Sequence, residues 1–425
     1  MKARRPKGTL DFVPPDADRL RTAEELFSQV CRLAGFEMVV FPTFEHTEVF
    51  VKSSGTGSDI VTKEMYSFQD RAGRDLTLRP EGTPGVVRAV LENGVRLPCR
   101  LYYSGSFFRY SQPQKGRYRE FHQLGVEALG EASPRTDAEV IQLGRDFFSQ
   151  LGIDDCQTVV NSIGCRDCRP AFRGLLVTFL RDRRERLCAD CQLRLEQNPL
   201  RVFDCKNASC QDAVAEAPVP RQHLCPGCAS HFAGVLAELE RLRLPFSISD
   251  RLVRGLDYYN RTTFEYLSGA LGAQDSLGGG GRYDYLIEEF GGPATPAVGF
   301  ALGLERALLA LPAAGTTDRR PLVFVVWLTE GDIIEAQHLL ARLRKTGIAA
   351  RIDYDATRLK QQFRSADAAR ACCCVIVGGD ELARRACALK DLASGEQTEV
   401  KLDEVVEQVR LRLAALNSSL AAGSR

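Results

Sequence analysis

Between residues 16 and 35 the apolar positions Leu20, Ala23, Leu26, Phe27, Val30, Cys31 and Leu33 recur at the spacing of one helix face, and Gly35 stands where that helix would end. The period then changes. The run EMVVFPTFEHTEVF is β-rich, and from Tyr66 to Leu129 short strands such as LYYSGSFFRY and FHQLGVEAL are broken by turns and by the polar stretch Ser111 to Arg119. A second β block spans Phe246 to Tyr266. Four glycines follow at Gly278 to Gly281, and Ala297 to Leu311 reads as a strand or turn leading into a helix. Strands in succession without regular intervening helices predict an antiparallel sheet rather than βαβ units.

Between the two β blocks the texture differs. From about Gly164 to Leu244 the chain is rich in Arg, Glu and Cys with little strand signal, which predicts an inserted helical unit. The stretch PAAGTTDRRP after Leu311 reads as a linker. Beyond it LVFVVWL, IIEAQHLLARLRKTG, IAARIDY, a polar helix, ACCCVIVGG and a final helix alternate as strand and helix, which predicts a separate α/β domain. The expected division is residues 1–164 with 245–315 for the main β domain, 165–244 for the insertion and 321–425 for the last domain. A length of 425 residues suits that number.

With 56 Lys and Arg against 55 Asp and Glu, the bulk charge argues neither for nor against a nucleic-acid partner, so any polyanion must be held locally. The longest apolar runs, such as Leu322 to Leu328, fall far short of a membrane span. The basic start, MKARRPKGTLDFVPP, has no apolar stretch behind it, so a cytoplasmic location is expected.

Five clusters carry candidate chemistry. In TLRPEGTPG, an extended segment would point Glu81 and Thr83 to one face, where a carboxylate and a hydroxyl can hold an ammonium; such residues on a strand are also commonly just solvated. In FFRYSQPQKGRYREFHQLGVE, Arg109 ends one strand, Lys115, Arg117 and Arg119 occupy the loop, and Gln123 and Glu127 share one face of the returning strand. A guanidinium bonds two phosphate oxygens at once and keeps its charge, so this hairpin fits a nucleotide, against the alternative of a solvated basic hairpin. LVRGLDYYNRTTFEY brings Arg254, Asp257, Tyr258 and Tyr259 together in a β context. GGGGRYDYL allows close backbone approach before Tyr283, or an ordinary turn, and GFALGLERALLAL sets Arg306 at the start of a helix.

Taken in order, KGTLDFVPP, LRPEGT, GRYREFHQLGVE and RGLDYYNRTTFE resemble the class II aminoacyl-tRNA synthetases, and among them the histidyl-tRNA synthetases. The resemblance covers nearly the whole chain. It implies an α+β fold: an antiparallel sheet flanked by helices, interrupted here by the Cys-rich insertion and followed by an anticodon-binding domain. It implies histidine–tRNA ligase activity on ATP with magnesium, L-histidine and histidine tRNA, in a homodimer whose interface is built around Pro42. It places Arg109 and Arg254 on the α-phosphate as the catalytic cations and Arg306 on the γ-phosphate side, with Arg117 also among the ATP contacts. Histidine falls to Glu81, Gly82, Thr83, Gln123, Glu127, Arg254, Tyr258, Tyr259 and Tyr283, and the tRNA acceptor end to Gln114, Arg117 and Arg119. One departure concerns adenine and the acceptor stem: Ser111 and Gln112 follow Arg109 where the family commonly carries an acidic and a basic residue.

The insertion spaces its cysteines as Cys165-x2-Cys168, Cys188-x2-Cys191, Cys205-x4-Cys210 and Cys225-x2-Cys228, with His223 and His231 nearby. Two thiolates at CxxC spacing fit adjacent corners of a tetrahedron, so eight suffice for two closed structural zinc sites. The alternative is a set of small buried residues. Cys372, Cys373 and Cys374 lie in an apolar strand, where cysteine acts as a small hydrophobe. Two rival functions stand beside the ligase: a catalytically inactive synthetase-like regulatory subunit of histidine biosynthesis that binds histidine, and a zinc-dependent nucleic-acid binder.

Overall fold

A computed structural model of the chain describes residues 3–54, 58, 60–272, 274–312 and 321–422. Residues 313–320, within the stretch read as a linker, lie outside these. The chain divides into two compact units, residues 1–317 and 318–425.

The first unit is built on an eight-stranded sheet. Its strands lie in the order Glu37–Met38, Cys99–Phe108, Glu120–Leu129, Ala297–Gly303, Ser276–Arg282, Asn260–Leu267, Gln157–Ser162 and Ser247–Ile248. The interior ladders are antiparallel, as expected, while the short strand at each edge pairs parallel. One face is apolar: Tyr102, Val126, Phe264, Tyr266, Phe300 and Leu302 pack against Phe27, Phe147 and Phe148 from the helices Asp16–Leu33 and Pro134–Leu151. The second helix is delimited by its sequence. Ser133 accepts from the Arg135 amide, Pro134 starts the first turn, and Gly152 closes the end in the left-handed region. Neither this helix nor the strand Gln157–Ser162 is among the elements that the sequence pattern predicts.

The opposite face of the sheet holds the candidate site. Because side chains alternate along a strand, Gln123, Gly125 and Glu127 share it. In register, Glu127 lies between Leu101 and Gly299, at the middle of the sheet.

Three sequence expectations change here. The stretch read as successive strands contains the helix Thr83–Glu92, whose Val86, Val87 and Val90 are buried at helical spacing after Pro84 in the first turn. Its β-branched residues mimic a strand, and tertiary packing decides. Residues 252–259 are irregular backbone leading into the strand Asn260–Leu267, not strand themselves. Gly278 to Gly281 form the strand Ser276–Arg282 rather than a turn.

The insertion is helical, with Arg169–Arg181, Ala189–Gln197, Ala208–Ala213 and Pro226–Arg241 joined by single 3-10 turns. Its Phe172, Leu176 and Cys191 belong to the same apolar cluster as Tyr103, Tyr258, Tyr259 and Tyr283 of the sheet's site face.

The second unit carries a five-stranded sheet in the order Ala350–Ile352, Val323–Trp327, Cys373–Val377, Ala386–Asp391 and Gln397–Lys401. The first three strands are parallel and joined through the helices Ile333–Lys345 and Leu359–Ala368, which matches the alternation in the sequence. After Val377 the alternation fails: an antiparallel pair of strands precedes the last helix, Val405–Ala422. Cys373 and Cys374 are buried in the central strand.

Candidate active site

Glu127 is fully buried. The Thr83 hydroxyl donates to its Oε1 at 2.6 Å and the Tyr283 hydroxyl donates to its Oε2. Burial pushes the carboxyl up to about 8, against the pull of these two donors, and the nearby Glu81 adds to the rise. A carboxylate at this depth needs a further partner to remain charged. Glu81 is also buried, and its Oε2 accepts from the Tyr258 hydroxyl at 2.9 Å. The rings of Tyr258 and Tyr259 lie 4.8 Å apart, and Tyr283 meets Tyr258 edge-on at 5.8 Å. Glu81 and Thr83 therefore do not share a strand face. Thr83 opens a helix and Glu81 precedes it, and the Tyr258 hydroxyl is reached by both side chains.

Arg254 donates from Nη1 to Oε1 of Glu265 at 2.8 Å, and the same oxygen accepts from Ser276 at 2.5 Å. Burial works against the charged Arg254, but Glu265, Tyr259 and Asp204 outweigh it. Glu265 also acts on Arg306, whose Nη2 donates to the Gln274 carbonyl. Burial, and then the like charge of Arg117, pull the Arg306 pKa down, so the hairpin loop brings a second cation to this corner. Two guanidiniums close enough to feel each other's charge suit a polyphosphate. Arg109 donates from Nε to the Pro80 carbonyl at 2.9 Å, one residue before Glu81, with its guanidinium 5.4 Å from the centre of the Phe121 ring. In the loop, Gln114 and Arg117 are exposed and exchange backbone hydrogen bonds. Arg119 stacks 3.9 Å over Tyr110.

Several polar atoms of this region are buried with no hydrogen-bond partner among the described residues: Gln123 Oε1, Tyr103 hydroxyl, Arg254 Nε and Arg306 Nε. Buried polar groups are seldom left so, and these mark where a polar ligand would sit. Tyr103 was missed in the sequence. Its ring fills space that only glycine leaves open, since a Cβ on Gly82 or Gly125 would fall 2.2 Å from it. The glycine strand serves the same end. A Cβ on Gly279 would lie 3.0 Å from Arg254 Nη1, and one on Gly281 2.9 Å from Tyr259. Glu265, also missed, sits in the motif RTTFEY, and only its pairing with Arg254 distinguishes it from any strand carboxylate.

The cysteines of the insertion form two quartets, Cys165 with Cys168, Cys225 and Cys228, and Cys188 with Cys191, Cys205 and Cys210. Neither nearby histidine joins them. His231 contacts Asp137 Oδ1 at 3.2 Å, and His223 packs against Phe172. The insertion also touches the Arg254–Tyr259 segment: Arg169 donates to the Tyr259 carbonyl at 2.9 Å, Asn198 to Asp257 Oδ1 at 2.6 Å and Arg201 to the Gly255 carbonyl at 3.4 Å. No described helix is long and apolar enough to cross a membrane.

Comparison with known proteins gives consistent matches. The family described as histidyl-tRNA synthetase matches residues 8–166 and 209–307, and the anticodon binding domain family matches residues 322–412. The histidine–tRNA ligase of Moorella thermoacetica is 48% identical over 96% of this chain and 98% of its own length. That of Desulforamulus reducens is 45% identical over 97% of this chain and its whole length. The crystal structure of the apo histidyl-tRNA synthetase of S. aureus superposes with a TM-score of 0.79 at 31% identity, covering 96% of this chain and 99% of that one.

Proposed function

The chain belongs to the histidyl-tRNA synthetase family, and from that premise we propose that it is a class II histidine–tRNA ligase: it joins L-histidine to ATP as histidyl-adenylate, releasing pyrophosphate, and passes the histidyl group to the 3′ end of histidine tRNA. The observation that carries this reading is the buried Glu127 with its Thr83 and Tyr283 donors, on the sheet face that also holds the Arg254–Glu265 pair.

In the first step an oxygen of the histidine carboxylate forms a bond to the α-phosphorus as the bond to the bridging pyrophosphate oxygen breaks. The attacking carboxylate is already ionised, so no protein base or nucleophile is needed, and catalysis is positioning plus stabilisation of charge on the phosphate oxygens. Arg109 and Arg254 are the cations at the α-phosphate. Arg306 and Arg117 take the leaving pyrophosphate, in keeping with the like charge that Arg117 brings to Arg306. Magnesium arrives with ATP as part of the substrate. In the second step a hydroxyl of the terminal tRNA ribose attacks the acyl carbon and AMP leaves.

Histidine is selected by its imidazole. Glu127 accepts from one ring nitrogen and Tyr259 lines the same pocket, so an apolar isostere would leave a buried carboxyl without its partner. Glu81 and Thr83 serve the α-ammonium end, with Gly82 allowing close approach. Gln123, whose Oε1 has no partner among the described residues, lies at the carboxylate end. Tyr258 and Tyr283 orient Glu81 and Glu127.

The Ser111–Arg119 loop, through Gln114, Arg117 and Arg119, approaches the tRNA acceptor end, while Ser111 and Gln112 alter the adenine and acceptor-stem contacts. The second unit reads the anticodon. The enzyme acts as a cytoplasmic homodimer, and its two cysteine quartets are structural zinc sites. Its working divisions are the catalytic core of residues 1–164 and 245–315, the insertion of 165–244 and the anticodon-binding part of 321–425. The regulatory-subunit reading is less well supported, because the phosphate-site arginines Arg109, Arg254 and Arg306 are present and the second unit matches an anticodon binding domain. Histidine-dependent exchange of pyrophosphate into ATP by the purified chain tests the assignment. A protein that binds histidine without such exchange would leave the regulatory reading standing.

A further inference from the structure

We infer that the insertion, held by one zinc ion in each cysteine quartet, braces the Arg254–Tyr259 segment, so that zinc sets histidine binding without touching any substrate. This rests on the zinc and histidine sites proposed above.

The metal follows from sulfur geometry. A zinc ion with four thiolates at about 2.3 Å requires tetrahedron edges of about 3.8 Å. Cys165 Sγ lies 3.8 Å from Sγ of both Cys168 and Cys225, Cys168 Sγ is 3.9 Å from that of Cys228, and Cys188 Sγ is 3.8 Å from that of Cys205. These spacings are far too long for disulfides. Backbone amides point at the sulfurs, Cys165 N at Cys168 Sγ and Cys188 N at Cys210 Sγ, each at 3.1 Å, which favours thiolates. The histidyl-tRNA synthetase family matches stop at residue 166 and resume at 209, so Cys168, Cys188, Cys191 and Cys205 fall outside them.

Placement supplies the rest. The first quartet joins the chain where it leaves the sheet after Gln157–Ser162 to the start of the returning helix, Pro226–Arg241. Arg169, next to Cys168, bonds the Tyr259 carbonyl. The second quartet pins both ends of residues 192–204, and from that stretch Asn198 bonds Asp257 and Arg201 bonds the Gly255 carbonyl. Alternate residues of the segment, Gly255, Asp257 and Tyr259, are thus each held from the insertion. From the same stretch Arg254, Tyr258 and the ring of Tyr259 face the site.

The test uses the full chain. Elemental analysis is expected to give two zinc ions per chain. Cys188→Ser with Cys191→Ser is expected to leave one, to speed amide exchange in residues 252–260, and to raise the histidine KM about tenfold with little change for ATP. Because that variant can lose the whole insertion, Asn198→Ala is the second arm. It is expected to keep both zinc ions, yet speed the same exchange and raise the histidine KM about tenfold, the loss of one charge-assisted hydrogen bond. A chain with no zinc, or with a different metal, overturns the proposal. So does a zinc-loaded chain whose exchange in 252–260 stays at the wild-type rate in both variants. Failure of the wild type to exchange pyrophosphate would instead remove the ligase reading, and metal content and amide exchange would still decide the brace.

Discussion

The Thr83 hydroxyl reaches Oε1 of Glu127 at 2.6 Å across 44 residues of sequence, in a place where neither side chain is open to solvent. Thr83 is held there by a helix start and Glu127 by the centre of the sheet, so the bond measures how the two elements are set. Thr83→Val keeps the shape and removes the donor. The histidine KM in pyrophosphate exchange is expected to rise about 10- to 100-fold, as for loss of a hydrogen bond to a charged group, with the ATP KM nearly unchanged. Equal shifts in both constants would count against a histidine role for this pair.

The raised pKa of Glu127 makes a statement about stability in the absence of histidine. Its carboxyl titrates at about 8 in the fold against an ordinary value of 4.5. Between those values the folded chain keeps a proton that the unfolded chain has released, so this position's contribution to stability falls as pH rises through the window. Glu127→Gln removes the titration. The variant is expected to melt progressively higher relative to wild type between about pH 5 and 8.5, by up to several kcal/mol at about 1.4 kcal/mol per pH unit. A gap that is flat with pH would mean the carboxyl is not held protonated. Saturating histidine is expected to raise the wild-type melting temperature far more than that of the variant.

Arg254 is fixed by Glu265 and given room by Gly279. Arg254→Ala is expected to slow adenylate formation by about 10²- to 10³-fold, as for loss of one preorganised donor, while histidine binding by calorimetry weakens far less. Arg254→Lys keeps the charge but not the fork, so it is expected to recover only part of the rate. A variant with wild-type exchange would remove Arg254 from the reaction.

The placement of residues that lie on one short motif is readable from sequence. Arg109, Arg117, Gln123 and Glu127 follow from a hairpin whose alternation is regular, and the quartet cysteines from their spacing. What was not readable depends on contacts across the chain. The four cysteine pairs give no clue that the first joins the fourth and the second the third. Thr83–Glu92 is a helix because Val86, Val87 and Val90 pack into the interior, and a valine-rich run looks like a strand until its partners are known. Tyr103 is one of several tyrosines until Gly82 and Gly125 are seen to leave space for its ring. His231 lies near the cysteines in sequence, yet its ring contacts Asp137. Periodicity reports which face is buried, and not what is buried against it.

That Asp137 belongs to a buried ion pair one residue from the site. Arg282 is fully buried and donates to Asp137 from both Nε and Nη2, the latter at 2.5 Å, and from Nη1 to Asp284 at 3.0 Å. His231 adds the insertion's last helix to the same carboxylate. Arg282 directly precedes Tyr283, the donor to Glu127. Burial disfavours the ionised Asp137, but His231 and Arg282 outweigh it and hold its pKa below 3.8, so its contribution is present above that value and is lost as pH falls through the folded one. Replacing a buried pair whole is often tolerated, whereas removing one partner strands the other charge, at about 3 to 5 kcal/mol. Asp137→Asn is therefore expected to lower the melting temperature by about 5 to 10 °C at neutral pH. Adding Arg282→Met to it is expected to restore part of that loss, because no buried guanidinium is then left without Asp137, while Asp284 keeps Asn260 and Arg261 as partners. If the double variant is instead less stable than Asp137→Asn by the full effect of Arg282→Met alone, the two residues are not coupled and the ion pair does not anchor Tyr283.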